Sequence, residues 1–106
     1  MVELKIKITA YTDNENPGWV SCEFNDIYGK THFFIEKVPV VTTLKLDLNS
    51  PYPQEGIIQC LEVKRTLNQN GMTMITVNSE KPWGIESLEK INQFDIFEAQ
   101  LKKASS

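Results

Sequence analysis

Along the first eleven residues, Val2, Leu4, Ile6, Ile8 and Ala10 alternate with Glu3, Lys5, Lys7, Thr9 and Tyr11. That period of two belongs to a strand with one buried face, and not to the 3.6-residue period of a helix. The same pattern returns along most of the chain, so the sequence specifies an all-β domain before it specifies anything else. With 106 residues such a chain falls in the range of a single domain that buries about two-thirds of its unfolded surface. The expected boundaries are one domain over residues 1–101 and a flexible tail over 102–106.

Seven short strands can be placed. The first ends near Tyr11, before a polar stretch rich in turn formers, Thr12-Asp13-Asn14-Glu15-Asn16-Pro17-Gly18. From Trp19 to Asn25 a second strand puts Val20, Cys22 and Phe24 on one face, and Asp26-Ile27-Tyr28-Gly29 closes a hairpin onto Lys30–Val38. On that returning strand Phe33 and Ile35 read as the core side, and His32, Phe34 and Glu36 as the opposite one. Pro39 suits an edge or a bend because it lacks an N–H. Leu44, Leu46 and Leu48 suggest a fourth strand, an edge whose self-pairing Pro39, Lys45 and Asp47 oppose.

Two prolines, Pro51 and Pro53, stiffen the loop that follows. A long strand from Gly56 to Leu67 meets its partner, Met72–Asn78, across Asn68-Gln69-Asn70-Gly71, the strongest turn signal in the chain. After the Lys81-Pro82-Trp83-Gly84 turn, a helical turn over Glu86–Glu89 and a last strand from Asn92 to Phe97 complete the set. Hairpin-linked strands about ten residues apart define a small antiparallel β-barrel of six or seven strands, with a β-sandwich as the alternative. Long strands broken by Gly and Pro, where a barrel turns its corners, favour the barrel.

The chemistry-bearing residues are sparse. A net charge of -3 argues against a phosphate-backbone surface, which needs clustered Lys and Arg, so no nucleic-acid partner is expected. No apolar run approaches the length of a membrane span, and the N-terminus carries no basic segment followed by an apolar core. The expectation is a cytoplasmic protein with no membrane partner. Cys22 and Cys60 each sit inside a strand-like run, which points to reduced core thiols and not to a bridge or a metal pair. His32, the single histidine, has no nucleophile-elbow motif near it and reads as an exposed cross-strand residue.

No catalytic, cofactor or metal residues are therefore assigned. Cys22, His32 and Cys60 lack metal-ligand spacing, and Glu23 with Glu36 would set like charges across a hairpin. Asp13 and Glu15 lack the ordered spacing of a calcium loop. Residues 11–36 hold five carboxylates against Lys30 alone, which makes one end acidic.

Trp19, at a strand entrance, and Trp83, in the Pro82-Trp83-Gly84 turn, are the candidate anchors of a protein-binding surface, with Lys37 and Glu86 as its polar rim. The functional expectation is a noncatalytic protein-binding domain, adaptor-like or immunity-like, with an unidentified protein partner and a monomeric or weakly dimeric state. The alternative is a small-ligand-binding or hydrolytic barrel with a pocket near His32.

From Pro17 to Leu101 the chain resembles a family of small, largely uncharacterised bacterial proteins. The resemblance is carried by Gly18-Trp19-Val20 with Cys22, Phe24, Asp26 and Gly29, by Glu36-Lys37-Val38-Pro39-Val40-Val41, by Tyr52-Pro53 with Gly56 and Cys60, and by Lys81-Pro82-Trp83-Gly84-Ile85-Glu86-Ser87 ahead of Phe94. It implies a β-barrel similar to the barrel domains of elongation factor Tu. It does not imply GTP hydrolysis, because the chain has no Gly-rich phosphate loop with Lys and Ser or Thr. Lys90 stands where a Gly-like turn residue is expected. The likeness concerns shape and lends no activity.

Overall fold

A computed structural model describes residues 1–13 and 18–102, with Asp13 described by its backbone only. The centre of the polar loop after β1, the Asp13 and Glu15 carboxylates considered for calcium, and the tail from residue 103 onward lie outside the described residues. Six antiparallel strands run in the order β3-β2-β1-β4-β5-β6, curled into a half-barrel. They are β1 Val2–Asp13, β2 Trp19–Asn25, β3 Thr31–Lys37, β4 Gln54–Leu67, β5 Thr73–Asn78 and β6 Gln93–Phe97. Among the described residues no helix is long and apolar enough to cross a membrane.

The alternation of β1 holds as far as Ile8. Leu4, Ile6 and Ile8 are buried in the core, whereas Ala10, expected on the same face, is exposed beyond a register shift between Ile8 and Ala10. β1 pairs with β2 on one side and β4 on the other. Gly56 sits opposite Ile6 in that second ladder. A Cβ on it would come within 2.7 Å of the Ile8 side chain and 2.9 Å of the Val41 carbonyl oxygen, so only glycine lets β4 approach this closely.

The fourth strand expected at Leu44–Leu48 does not form. The chain instead leaves β3 through a single helical turn, α1, Val38–Val41, and crosses residues 42–53 as loop and turns. Pro39 explains the change, because its missing N–H falls in the first turn of a helix, where no intrahelical bond is required. Only Leu46 of the three leucines is buried, while Leu44 and Leu48 are exposed. The helical turn expected at Glu86–Glu89 is also absent. Residues 87–91 make a five-residue reverse turn in which Lys90 takes φ 66°, the left-handed conformation anticipated for a Gly-like position.

β3 corrects the sequence reading most sharply. Phe33 and Ile35, expected in the core, are 50% and 45% exposed, whereas Phe34 and His32, expected outside, are buried. The five-residue turn over Asp26–Lys30 brings Asn25 opposite Thr31, Phe24 opposite His32 and Cys22 opposite Phe34. Directly opposed residues share a face. Burial of Val20, Cys22 and Phe24 therefore draws His32 and Phe34 inward and turns Phe33 and Ile35 out.

The half-barrel is drawn together across its open side by loops and side chains. Ile27 N–H donates to the Asp95 carbonyl at 2.9 Å, Leu88 N–H to the Phe33 carbonyl at 2.8 Å, and Gln100 Nε2 to the Asn25 carbonyl at 2.8 Å. Phe94 from β6 packs its ring against Phe24, His32 and Phe34. Past a 3-10 turn, Glu98–Gln100, Leu101 bridges to Leu4 and Lys102 N–H donates to the Glu3 carbonyl. The C-terminal segment thereby returns to the first strand.

Candidate functional site

Trp19 and Lys37 are cross-strand partners on the outer face of β2 and β3, and the Lys37 ammonium lies 5.5 Å from the centre of the Trp19 ring. A cation at that distance is attracted by the ring's quadrupole, and each side chain holds the other in place. Trp19 is half-buried and Lys37 exposed.

One row along, Ser21 lies opposite Ile35, and Ala10 of β1 lies opposite Ser21. Two small residues thus form a floor beside Ile35. The next row is Lys7, Glu23 and Phe33. The outer face of the β2–β3 hairpin is therefore a shelf that carries Trp19 at one end and exposed Ile35 and Phe33 toward the other, interleaved with Lys37, Ser21 and Glu23, on strands whose opposite face is core.

Trp83 and Glu86 lie on a different element, the β5–β6 connection. Trp83 is 59% exposed, so its ring does not plug the barrel, and Glu86 pairs with Lys90 at 3.2 Å. No aromatic pair, cation–π contact or ion pair among the described residues joins them to Trp19 and Lys37. What ties their loop to the shelf is Leu88, itself exposed, whose N–H bonds the carbonyl of Phe33. Phe33, Ile35 and Leu88 were absent from the sequence candidates. The missing signal is hairpin register, which decides the face of every residue on β3.

His32 occupies quite another setting. Its side chain is 4% exposed, its Nε2 is 2.8 Å from Asp26 Oδ2, and its ring lies 4.7 Å from that of Phe94 and 5.3 Å from that of Phe24. Burial pushes the Asp26 carboxyl upward, but the hydrogen bond to His32 and those from the Lys30 and Tyr28 amides outweigh it and hold the group below the ordinary carboxylate range. Asp26 Oδ1 takes the two amides of the turn and Oδ2 takes the imidazole. Among the described residues His32 Nδ1 is buried without a partner. This dyad fastens the β2–β3 turn to the aromatic core, and among the described residues no hydroxyl or thiol bonds it that could serve as a nucleophile.

The thiols are equally unreactive. Burial pushes both Cys22 and Cys60 up to about 12, with the Glu36 carboxylate adding to the effect at Cys22. Both are free and buried, as the sequence pattern indicates. Glu36 is half-buried on the inner face and raised by that burial. Among the described residues, no group of three or more His, Cys, Asp or Glu side chains is placed to hold a metal.

An open cleft of about 720 Å³ begins where β3 ends, lined by Val38, Pro39 and the segment Thr42–Leu46. Its volume falls within the range of ligand sites, but it holds no convergent set of polar groups of the kind that fixes a small molecule. Comparison with known proteins finds no matching family model, no matching curated protein and no matching solved structure.

Proposed function

We propose that this chain is a noncatalytic protein-binding domain, adaptor-like or immunity-like, that docks another protein on the outer face of β2–β3. The observation that carries the reading is the exposure of Phe33 and Ile35 side by side between Trp19 and Leu88, on a face that the fold leaves uncovered. Scattered exposed apolar residues carry no message, but a contiguous group rimmed by polar ones marks a contact surface. Trp19 supplies an aromatic anchor held in place by Lys37, and Trp83 with Glu86 extends the surface along the β5–β6 connection. In this reading the domain works as a monomer or weak dimer in the cytoplasm, without nucleic acid or membrane. The likeness to elongation factor Tu barrels bears on its shape.

The alternative, a small-ligand or hydrolytic barrel centred on His32, draws less support, because that imidazole is closed in by aromatic rings and held by Asp26. The test compares proteins captured from a host lysate by the wild-type domain and by a Phe33→Ser variant, with circular dichroism and thermal unfolding showing that both fold. We expect a specific protein to be recovered by the first and lost with the second. Recovery of the same set by both overturns the assignment of this face.

A further inference from the structure

Each edge of the sheet is partly closed by the groups around it. In an antiparallel ladder a residue's N–H and C=O point to the same side, and successive residues alternate. On and around β3 the Lys30 carbonyl and the Val38 N–H bond toward the β2 side, to Asp26 and Gly18, while the Phe33 carbonyl bonds away from it, to Leu88. The even positions therefore face β2, and the N–H and C=O groups of Ile35 and the N–H of Lys37 face the free edge, while the Lys37 carbonyl caps the first turn of α1. Among the described residues no turn or loop backbone group bonds these three there. On the opposite edge, β6, the Asp95 carbonyl is taken by Ile27 and the Phe97 N–H by Gln100 Oε1. Open edge groups are a template for another strand.

Three features converge at this place. The open backbone groups belong to Ile35 and Lys37, two residues of the docking shelf. Directly beyond Lys37 the edge runs into the cleft at Val38 and Pro39, whose rim carries Leu44, 56% exposed. Lys37 and Lys45 flank the run, and neither has a carboxylate in ion-pair contact among the described residues, although the chain as a whole is acidic.

We propose that β3 takes up an extended, acidic segment of a partner protein as an added strand along Ile35 and Lys37, with one of its apolar side chains seated in the Val38–Leu46 cleft. This rests on the docking reading above and names its partner class. Main-chain bonds supply the attachment and alternate side chains the selectivity. A helix would leave the edge groups unpaired. A second copy of this chain would bring Lys37 and Lys45 against their own counterparts, with Pro39 offering no N–H. The two lysines call instead for Asp or Glu at alternate positions.

The experiment selects from a displayed library of random heptapeptides on the full chain, then resynthesises the most enriched peptide with N-methyl groups on one or the other alternate set of amides. We expect enriched sequences that alternate acidic and apolar residues. We also expect affinity to fall about tenfold or more for one methylated set and by less than about threefold for the other, because only one set faces β3. A Lys37→Glu, Lys45→Glu variant should turn the selection toward basic peptides. Absence of enrichment, equal tolerance of both methylated sets, or a spacing of three and four residues overturns the proposal. So does a concentration-dependent dimer that pairs through β3. A whole protein partner that is lost with Phe33→Ser but retained by a folded Ile35→Pro variant, which removes an edge N–H together with the Ile35 side chain, overturns strand addition while leaving the docking face in place.

Discussion

The β2–β3 and β4–β5 hairpins are closed by the same turn and come to opposite ends. In each, the first residue donates its N–H to the carbonyl of the fifth, Asp26 to Lys30 and Asn68 to Met72. Its side-chain oxygen accepts the amides of the third and fifth, and a glycine at the fourth position takes positive φ. Around the first turn the long-range contacts are dense. Asp26 holds His32, Ile27 bonds β6, and the Tyr28 hydroxyl donates to Asp95 at 2.7 Å. Around the second, every residue from Leu61 to Met72 is exposed, apolar Val63 and Leu67 included. Local turn chemistry builds a hairpin, and the contacts made beyond it decide whether the hairpin becomes part of the core. The choice of Asp at one turn and Asn at the other follows, since only Asp26 needs a second acceptor oxygen.

The sharpest way to break this comparison is to remove both capping side chains in turn. Asp26→Ala strips two amides of their acceptor and leaves the imidazole alone in the core, and should cost about 2–4 kcal/mol in urea unfolding. Asn68→Ala removes solvent-exposed bonds only and should cost about 1 kcal/mol. Equal losses would mean that the buried dyad adds nothing to the turn.

Acid titration separates the dyad from the turn. Asp26 lies below the usual carboxylate range when folded, so its stabilisation is complete above the unfolded value of about 4 and is lost as the pH falls through the lower folded value. Asp26→Asn keeps a turn acceptor but not the charge. It should cost about 1–2 kcal/mol at neutral pH, and the gap from wild type should close in acid. Glu36 runs the other way. Burial raises it when folded, so its charge disfavours the fold at neutral pH, and Glu36→Gln should raise the melting temperature there and lose that advantage as the pH falls below the unfolded value. A gap at Asp26 that persists into acid would assign its role to turn geometry alone.

These contrasts also mark how much of the molecule was legible in its sequence. The burial of Leu4, Ile6 and Ile8, the presence of a turn at Asn68–Gly71 and the burial of both cysteines follow from residue type and spacing, although of Asn70 and Gly71 only the glycine takes positive φ. The face of β3 does not follow from alternation, because Phe33, Phe34 and Ile35 offer apolar residues to both sides. It follows from the five-residue turn, whose length makes 25 oppose 31 and so places even residues opposite even ones. Counting across Asp26-Ile27-Tyr28-Gly29-Lys30 would have put His32 beside Phe24. Trp19 and Lys37 were legible as surface candidates, and their contact required that same register. Leu44, Leu46 and Leu48 mimic a strand, but nothing in their spacing reveals that no neighbouring ladder receives them.

A third turn supplies the finest discrimination. Ser87 accepts the amides of Glu89 and Ile91 through its hydroxyl and donates its own N–H to the Ile91 carbonyl, repeating the pattern of Asp26 and Asn68. Where those turns have Gly29 and Gly71, this one has Lys90. Gly29→Ala and Gly71→Ala should each cost about 1 kcal/mol, and equally, since a Cβ at either meets nothing within 4 Å and only the backbone is strained. Lys90→Gly runs in the opposite sense. Relief of a left-handed side-chain residue is worth about 1–2 kcal/mol, offset by the greater freedom of glycine when unfolded, about 0.5–1 kcal/mol, and by an exposed pair with Glu86 worth at most about 0.5 kcal/mol. The net expectation in urea unfolding is a gain of about 0.5 kcal/mol, the smallest of these effects and the only one of the glycine-site exchanges with a stabilising sign. A loss instead would show that the Lys90 side chain does more than balance Glu86, and that this turn, on the connection carrying Trp83 and Leu88, departs from the other two for the sake of its surface.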